Sequence, residues 1–318
     1  MAGRQKTDNN LGRESPFRNP KHLICVIAEG KTEKDYLDGI KNNIRFNDVI
    51  IELMTVDKTV FDRDVSDRMN LVRYADDWRN LLSNGKCSLN RYVSIVLNAF
   101  YECYNHDEGI LDGLKQLQID LCNDCTINCS KYVNDDRVPY RSDLYKVIYS
   151  RCDEKFGSNK KLEDMSIPAD LDRDSYSVKD IYIMFDRDYD EERRNNKTYV
   201  DLIAEIEKRN YHALVTTPQF ELWLLMHFKG ASFDGINYRT NHTTIENRLA
   251  QFDIDEYSNN KKLLSGERLK QYMDSIQTAI DTSLEPGRFE TDPRKLVDGV
   301  GTNLGLFFKD VLGFRNPL

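Results

Sequence analysis

The chain has 318 residues, of which 40% are hydrophobic and 31% are charged, and its formal net charge is −8. This length suits one large domain or two small ones with a real hydrophobic core. No apolar run approaches the roughly 18 residues that a membrane span needs, and the polar start does not resemble a secretory signal, so we expect a cytoplasmic protein without membrane contact. The acidic balance argues against a protein that coats nucleic acid through bulk charge.

The first part of the chain predicts the beginning of an α/β domain. Residues 1–20 are polar and poor in apolar side chains, and we interpret them as a flexible tail. Residues 23–28 form a short apolar run, rich in β-branched side chains, that predicts a buried strand. A turn at Glu29 and Gly30 follows, then a helix over 32–42 with apolar residues on one face, and a second strand over 49–56.

Residues 58–174 have a different character, and we interpret them as a large, mainly helical insertion. Apolar residues recur there at helical spacing between charged and polar stretches, as in Leu111, Leu114, Leu117 and Leu121. Six of the seven cysteines of the chain lie in this region.

The α/β pattern resumes in the last part of the chain. Residues 181–185 predict another buried strand, 198–209 a helix and 211–216 a further strand. Pro218 can open the next helix, and the chain from about 243 onward has helical character. We therefore predict one α/β domain, made of 21–57 and 175–318, with a mostly parallel sheet flanked by helices.

Three carboxylates are predicted at the ends of two of these strands. Glu29 follows the first strand, and Asp186 and Asp188 end the strand at 181–185. Ligands bind at the carboxyl ends of parallel strands, so the three side chains would meet if the two strands are neighbours. Residues two apart in an extended backbone point the same way, so the aspartates can share one Mg²⁺ or Mn²⁺, which activates water for phosphoryl transfer. Such short acidic motifs are also common in solvated turns.

Four segments resemble the RloB-like (AbiLii) family. Residues 28–36 (AEGKTEKDY) resemble its EGxTE…Y signature, and residues 183–188 (IMFDRD) resemble its FDxD strand. Residues 217–228 (TPQFELWLLMHF) are similar to its most specific segment, P-x-FE-LWLL-HF, and 301–305 (GTNLG) to a TN-x-G segment. The resemblance implies a Toprim-like fold related to nucleases of the OLD type. It also implies a role in phage defence by abortive infection, often beside an ABC/SMC-like ATPase. The long insertion departs from the compact family pattern.

The same resemblance implies roles for individual residues. It implies that Glu29 is a metal ligand or general acid/base, and that Asp186 and Asp188 are the metal-binding pair. Supporting roles fall to three further residues, Glu33, Glu221 and Lys31. Each supporting residue also has an ordinary structural explanation, because carboxylates near a helix start complement its dipole and lysine is commonly solvated. His227, four residues after Trp223, is expected to be a packed, hydrogen-bonded histidine.

The cysteines of the insertion suggest a second metal site. Cys122, Cys125 and Cys129 have C-x2-C-x3-C spacing, and structural Zn²⁺ takes four such ligands. The fourth ligand would be one of three residues, Cys103, His106 or Cys152. Reduced, partly buried cysteines without zinc are the alternative interpretation.

The leading hypothesis is a Mg²⁺- or Mn²⁺-dependent nuclease, an endonuclease acting on DNA or RNA as an effector of antiphage defence. The sequence contains no GxxxxGK[ST] P-loop, so an ATPase partner would hydrolyse ATP and control it. The second hypothesis is a non-catalytic regulatory or sensor-binding subunit of a defence complex, favoured by the acidic charge and the insertion. A different Mg²⁺ phosphotransferase is the third. The sequence leaves a homo-oligomer open.

Overall fold

The structure is a computed structural model that describes residues 22–43, 51–56, 69–103, 108–124, 127, 137–139, 142–157, 178–187, 199–252, 264 and 266–314. The predicted tail, 1–20, lies outside the described residues. Within the described part of the chain, no helix is long and apolar enough to cross a membrane.

The described chain contains both strands and helices. The strands are β1 (His22–Ala28), β2 (Ile51–Val56), β3 (Lys86–Ser88), β4 (Arg137–Pro139), β5 (Val178–Asp186), β6 (His212–Thr217) and β7 (Gly301–Thr302). The helices are α1 (Lys31–Asn43), α2 (Met69–Asn84), α3 (Leu89–Cys103), α4 (Glu108–Asn123), α5 (Leu144–Phe156), α6 (Tyr199–Lys208), α7 (Glu221–Leu225), α8 (His242–Leu249), α9 (Gly266–Asp274), α10 (Ile276–Ser283) and α11 (Leu304–Leu306). A π-helical turn, Phe307–Val311, continues α11.

Five of these strands form one sheet in the order β2-β1-β5-β6-β7. The first four are parallel to one another, and the two-residue β7 runs antiparallel to β6. This confirms the predicted α/β fold with a mostly parallel sheet; the finer assignment to a Toprim-like fold stays a prediction. β3 and β4 form a separate antiparallel pair, which the helical interpretation of 58–174 did not anticipate.

The sheet is covered by helices on both faces. Ile181 and Ile183 of β5 share one buried cluster with residues of α2 to α6. Tyr182 and Met184, which alternate with them, share a second cluster with α1 and the helices from α7 onward. Because both faces are buried, the central strands are continuous apolar runs, which is why the sequence signal for β1 and β5 was clear.

The helices α2 to α5 lie in the predicted insertion and pack on the sheet. Their buried residues, such as Trp78, Phe100 and Ile148, belong to the same cluster as Ile183. The division of the chain into 21–57 with 175–318 and an insertion at 58–174 stays a prediction.

Candidate functional site

The strands that carry the predicted site residues are neighbours. β1 pairs with β5, and Ala28 lies opposite Met184 at the end of the ladder. The next residue, Glu29, donates its backbone N–H to the Met184 carbonyl oxygen at 2.9 Å. From β1 the chain moves outward to β2 on one side, whereas β5 leads to β6 on the other, so this junction is a switch point of the sheet. Ligands of open α/β sheets bind at such a point.

Three strand ends contribute to one group of contacts at this edge. The Asp186 N–H donates to Glu29 Oε2 at 3.3 Å, which joins the end of β5 to the turn after β1. The Asp186 carboxylate accepts a hydrogen bond from the Phe220 backbone N–H, just after β6. Glu221 follows directly as the first residue of α7. The structure therefore brings Glu29, Asp186 and Glu221 to one edge of the sheet.

The carboxylates at this edge interact electrostatically. Burial, followed by the negative charges of Glu33, Glu221 and Glu29, raises the pKa of Asp186 well above its ordinary value. Glu33 and Glu221 are only 7% and 5% exposed, so their charges are poorly screened by water. This edge of the sheet is therefore a strongly acidic pocket of side chains.

A glycine lets one of these carboxylates lie against the turn after β1. A Cβ atom on Gly30 would lie 2.7 Å from Glu33 Oε2, closer than such atoms can approach. Because Gly30 has no side chain, the Glu33 carboxylate can lie against the turn that carries Glu29, and a Cβ atom there would push this carboxylate aside. The spacing of Glu29, Gly30 and Glu33 in the sequence thus has a geometric reason.

A comparison with protein-family models gives one match. The model of the family described as RloB-like protein matches residues 113–304, well over half of the chain. The chain belongs to the RloB-like family. The comparisons with curated proteins and with solved structures found no match.

The match to the RloB-like family covers only part of the acidic edge. It includes Asp186, Glu221 and the segment that contains Thr302, whereas β1, Glu29 and Glu33 precede it. Glu29 contacts β5, and these contacts join the end of the first strand of this RloB-like chain to the matched region.

The remaining predicted residues are only partly described. Asp188 lies outside the described residues, and Lys31 is exposed at the start of α1. Among the described residues, no group of three or more His, Cys, Asp or Glu side chains is arranged to hold a metal ion. The metal-binding role of Glu29, Asp186 and Asp188 and the supporting role of Lys31 stay predictions.

The zinc site of the insertion also stays a prediction. Cys125, Cys129 and the side chain of Cys103 lie outside the described residues, as does His106. Cys122 is half-buried, with its sulfur 3.5 Å from Asn90 Oδ1. Cys152, an alternative fourth ligand, is fully buried in the hydrophobic cluster, and burial raises its pKa to about 12.

Two residues at the edge were not identified from the sequence. Arg187, between the two aspartates, is buried, and its guanidinium carbon lies 5.3 Å from the ring centre of Tyr238. Gln219 is fully buried and donates from Nε2 to the His242 carbonyl oxygen at 3.3 Å. The sequence signal for Arg187 was its position directly after a buried strand, because a buried guanidinium group needs specific partners.

Proposed function

We propose that this RloB-like chain is a metal-dependent nuclease with a Toprim-like fold, and that the acidic edge of the sheet is its active site. The observation that carries the proposal is the contact of Glu29 with Asp186 at the ends of two neighbouring parallel strands. Glu33 and Glu221 add negative charge at the same place. Binding sites of open α/β sheets occupy this position, and phosphoryl-transfer centres often gather carboxylates around divalent cations.

The donor set fits Mg²⁺ or Mn²⁺ in its chemistry. All four groups offer only carboxylate oxygens, which are the ligands of hard divalent cations. A cation would also relieve the mutual repulsion that raises the pKa of Asp186. Mg²⁺ usually takes one or two protein carboxylates and keeps water and phosphate as its other ligands. A Mg²⁺ site therefore does not need three of the described side chains as ligands.

Glu29, Asp186 and Asp188 are the residues that would hold the metal. When bound, the metal polarises the phosphate and lowers the pKa of a water molecule. The Phe220 N–H fixes the Asp186 carboxylate, and the Asp186 N–H fixes that of Glu29. Both carboxylates are thus positioned by backbone groups of the sheet edge, which keeps them in place without flexible partners.

The family resemblance supports the biological part of the proposal. We propose that the nuclease cleaves DNA or RNA as an effector of antiphage defence under the control of an ABC/SMC-like ATPase. An acidic chain binds nucleic acid weakly by itself, and a partner can supply the missing surface.

Cleavage of pooled DNA and cellular RNA by the purified protein, with Mg²⁺ or Mn²⁺, tests the proposal. Wild-type protein should cleave one of the two pools, and Glu29→Gln and Asp186→Asn should lose cleavage by more than a hundredfold, as is usual for removal of a catalytic group. The matched control is Asp180→Asn. Asp180 lies on β5, as Asp186 does, but near the amino end of that strand, where it contacts His212 at 3.5 Å. Full cleavage by Asp186→Asn would contradict the proposal. Inactivity of wild type, even with the ATPase present, would favour the regulatory subunit.

A further inference from the structure

Ser88 is the centre of a charged cluster between α2, α3 and the β3–β4 pair. Its hydroxyl accepts the Arg91 backbone N–H at 3.3 Å and donates to Asp77 Oδ2 at 3.3 Å. Arg137 lies directly opposite Ser88 in the antiparallel ladder. Ser88 precedes α3 and satisfies the third backbone N–H of that helix, so the positive end of this helix faces the cluster.

Two guanidinium groups belong to this cluster. Arg91 is only 4% exposed, and its guanidinium carbon lies 4.0 Å from the ring centre of Tyr74 and 4.9 Å from that of Trp78. Arg91 and Arg137 both act electrostatically on Asp77. Stacking on two aromatic rings holds the Arg91 charge at a fixed position inside the helical layer.

Two of the buried donors in the cluster make no hydrogen bond within the described part of the chain. One is Arg137 Nη1, and the other is the indole Nε1 of Trp78, a residue that is 1% exposed. Buried donors are nearly always paired in folded proteins, so each such group needs an explanation. Donors of this kind, next to a second guanidinium and a helix start, are the groups that bind oxyanions.

The cluster is separate from the acidic edge of the sheet. Asp76, the residue before Asp77 on α2, accepts hydrogen bonds from Tyr211 at 2.7 Å and Arg209 at 2.9 Å. Tyr211 directly precedes β6 and Arg209 lies three residues before it, so this part of α2 lies toward the amino ends of the strands. The acidic edge lies at their carboxyl ends.

We infer that this cluster is a binding site for a small oxyanion, with a phosphate group as its ligand. Arg137 and Trp78 donate hydrogen bonds to its oxygens, and Arg91 and the start of α3 supply positive charge. Asp77, Ser88 and Arg137 are each half-buried, so part of the cluster is exposed to solvent.

Asp77 is the described carboxylate of this cluster, and it lies beside both guanidinium groups. Burial is the largest influence on Asp77 and raises its pKa, although Arg91, Ser88 and Arg137 act in the opposite direction. A neutral carboxyl is favoured when an anion is bound beside it, because the negative charge of the anion raises the pKa further.

Calorimetric titration of the full chain with inorganic phosphate, at constant ionic strength, tests the inference. We expect saturable binding at one site in the wild type. Arg137→Gln should bind about tenfold more weakly, the usual effect of losing a charged hydrogen bond. Trp78→Phe keeps the ring but removes the donor, and should weaken binding by a factor of about three to ten. The matched control is Arg151→Gln, which removes an exposed arginine of α5 that pairs with Glu154.

The source of the phosphate is resolved by competition. Displacement of phosphate by adenosine monophosphate assigns the site to a nucleotide, whereas displacement by sulfate alone assigns it to the free ion, and both outcomes support an oxyanion site. Absence of saturable phosphate binding in the wild type overturns the inference. So does wild-type affinity in Arg137→Gln and Trp78→Phe, with circular dichroism confirming that both variants are folded.

Discussion

The hydroxyl of Tyr36 lies 2.9 Å from Nε2 of His227, and both residues are buried. The other ring nitrogen, Nδ1, lies 3.0 Å from the Trp223 carbonyl oxygen. A carbonyl oxygen can only accept, so Nδ1 carries the proton and Nε2 accepts from the tyrosine. This pair joins α1, which carries Glu33, to the segment that begins with Glu221. The packed, hydrogen-bonded histidine expected from the sequence is confirmed.

Removing the tyrosine hydroxyl should destabilise the fold. Tyr36→Phe leaves the buried Nε2 atom of His227 without its donor, at a cost of about 1–3 kcal/mol. Urea unfolding at pH 7 measures the change. Tyr145→Phe is the control, because Tyr145 is half-buried on α5 and water can satisfy its hydroxyl, so we expect a change within about 0.5 kcal/mol. Equal effects of the two substitutions would contradict this account.

His227 should make the protein sensitive to acid. Burial lowers its pKa from 6.5 to about 3, so between these values the unfolded chain binds a proton that the folded protein does not. The free energy of unfolding therefore falls as the pH decreases through this window, by at most about 1.4 kcal/mol per pH unit from this residue. His227→Gln removes that contribution and should show a shallower decline in urea unfolding from pH 6.5 to 4. Parallel curves for the two proteins would refute the assignment.

The contribution of Asp186 to the free energy of unfolding should depend on pH in the opposite direction to that of His227. Because its pKa is raised well above 3.8, its contribution to stability is present below that value and is lost as the pH rises through the higher folded pKa. Asp186→Asn cannot ionise, so in EDTA at pH 7 it should unfold at higher urea concentration than the wild type, and the difference should shrink toward pH 4.

Added Mg²⁺ should change which of the two proteins, Asp186→Asn or the wild type, is the more stable. The metal should stabilise the wild type but not Asp186→Asn, while Asp180→Asn should respond as the wild type does. A lower stability of Asp186→Asn than of the wild type in EDTA at pH 7 would show that the acidic edge is not under electrostatic strain.

Some of this arrangement was predictable because it depends on local sequence. The apolar runs of β1 and β5 are buried on both faces, so their composition alone predicted them, and their acidic ends followed. The sequence did not predict that β1 pairs with β5 across the intervening helices, because a run of apolar residues does not specify which strand lies beside it. The three-residue strands β3 and β4 are too short to show any period.

Other features depend on contacts between distant segments. Arg187, after β5, contacts Tyr238, and Gln219, after β6, contacts His242, and no spacing in the sequence indicates either contact. The charged cluster around Ser88 likewise joins Asp77 to Arg137 through a pairing of β3 with β4 that the sequence did not indicate.

Asn303 of the TN-x-G segment contacts the backbone of β6 with its side chain. β7 pairs with β6 only at Thr216 and Thr217, so the preceding residues of β6 lie beyond the ladder. There the Asn303 side chain accepts the Val215 N–H at 2.8 Å and donates to the Ala213 carbonyl oxygen at 2.7 Å. The amide thus takes the place of a neighbouring strand along the edge.

Asn303→Ala should therefore loosen the edge of β6. It leaves two backbone groups unpaired, at about 1–3 kcal/mol for each one that water does not reach, and the Val215 amide should exchange with deuterium markedly faster. Asn303→Asp keeps the acceptor for Val215 but places a second acceptor against Ala213, so protection of Val215 should persist while stability still falls. The control, Asn247→Ala, lies exposed on α8 and should be neutral or slightly stabilising. Unchanged exchange at Val215 in Asn303→Ala would mean that the edge is held by β7 alone.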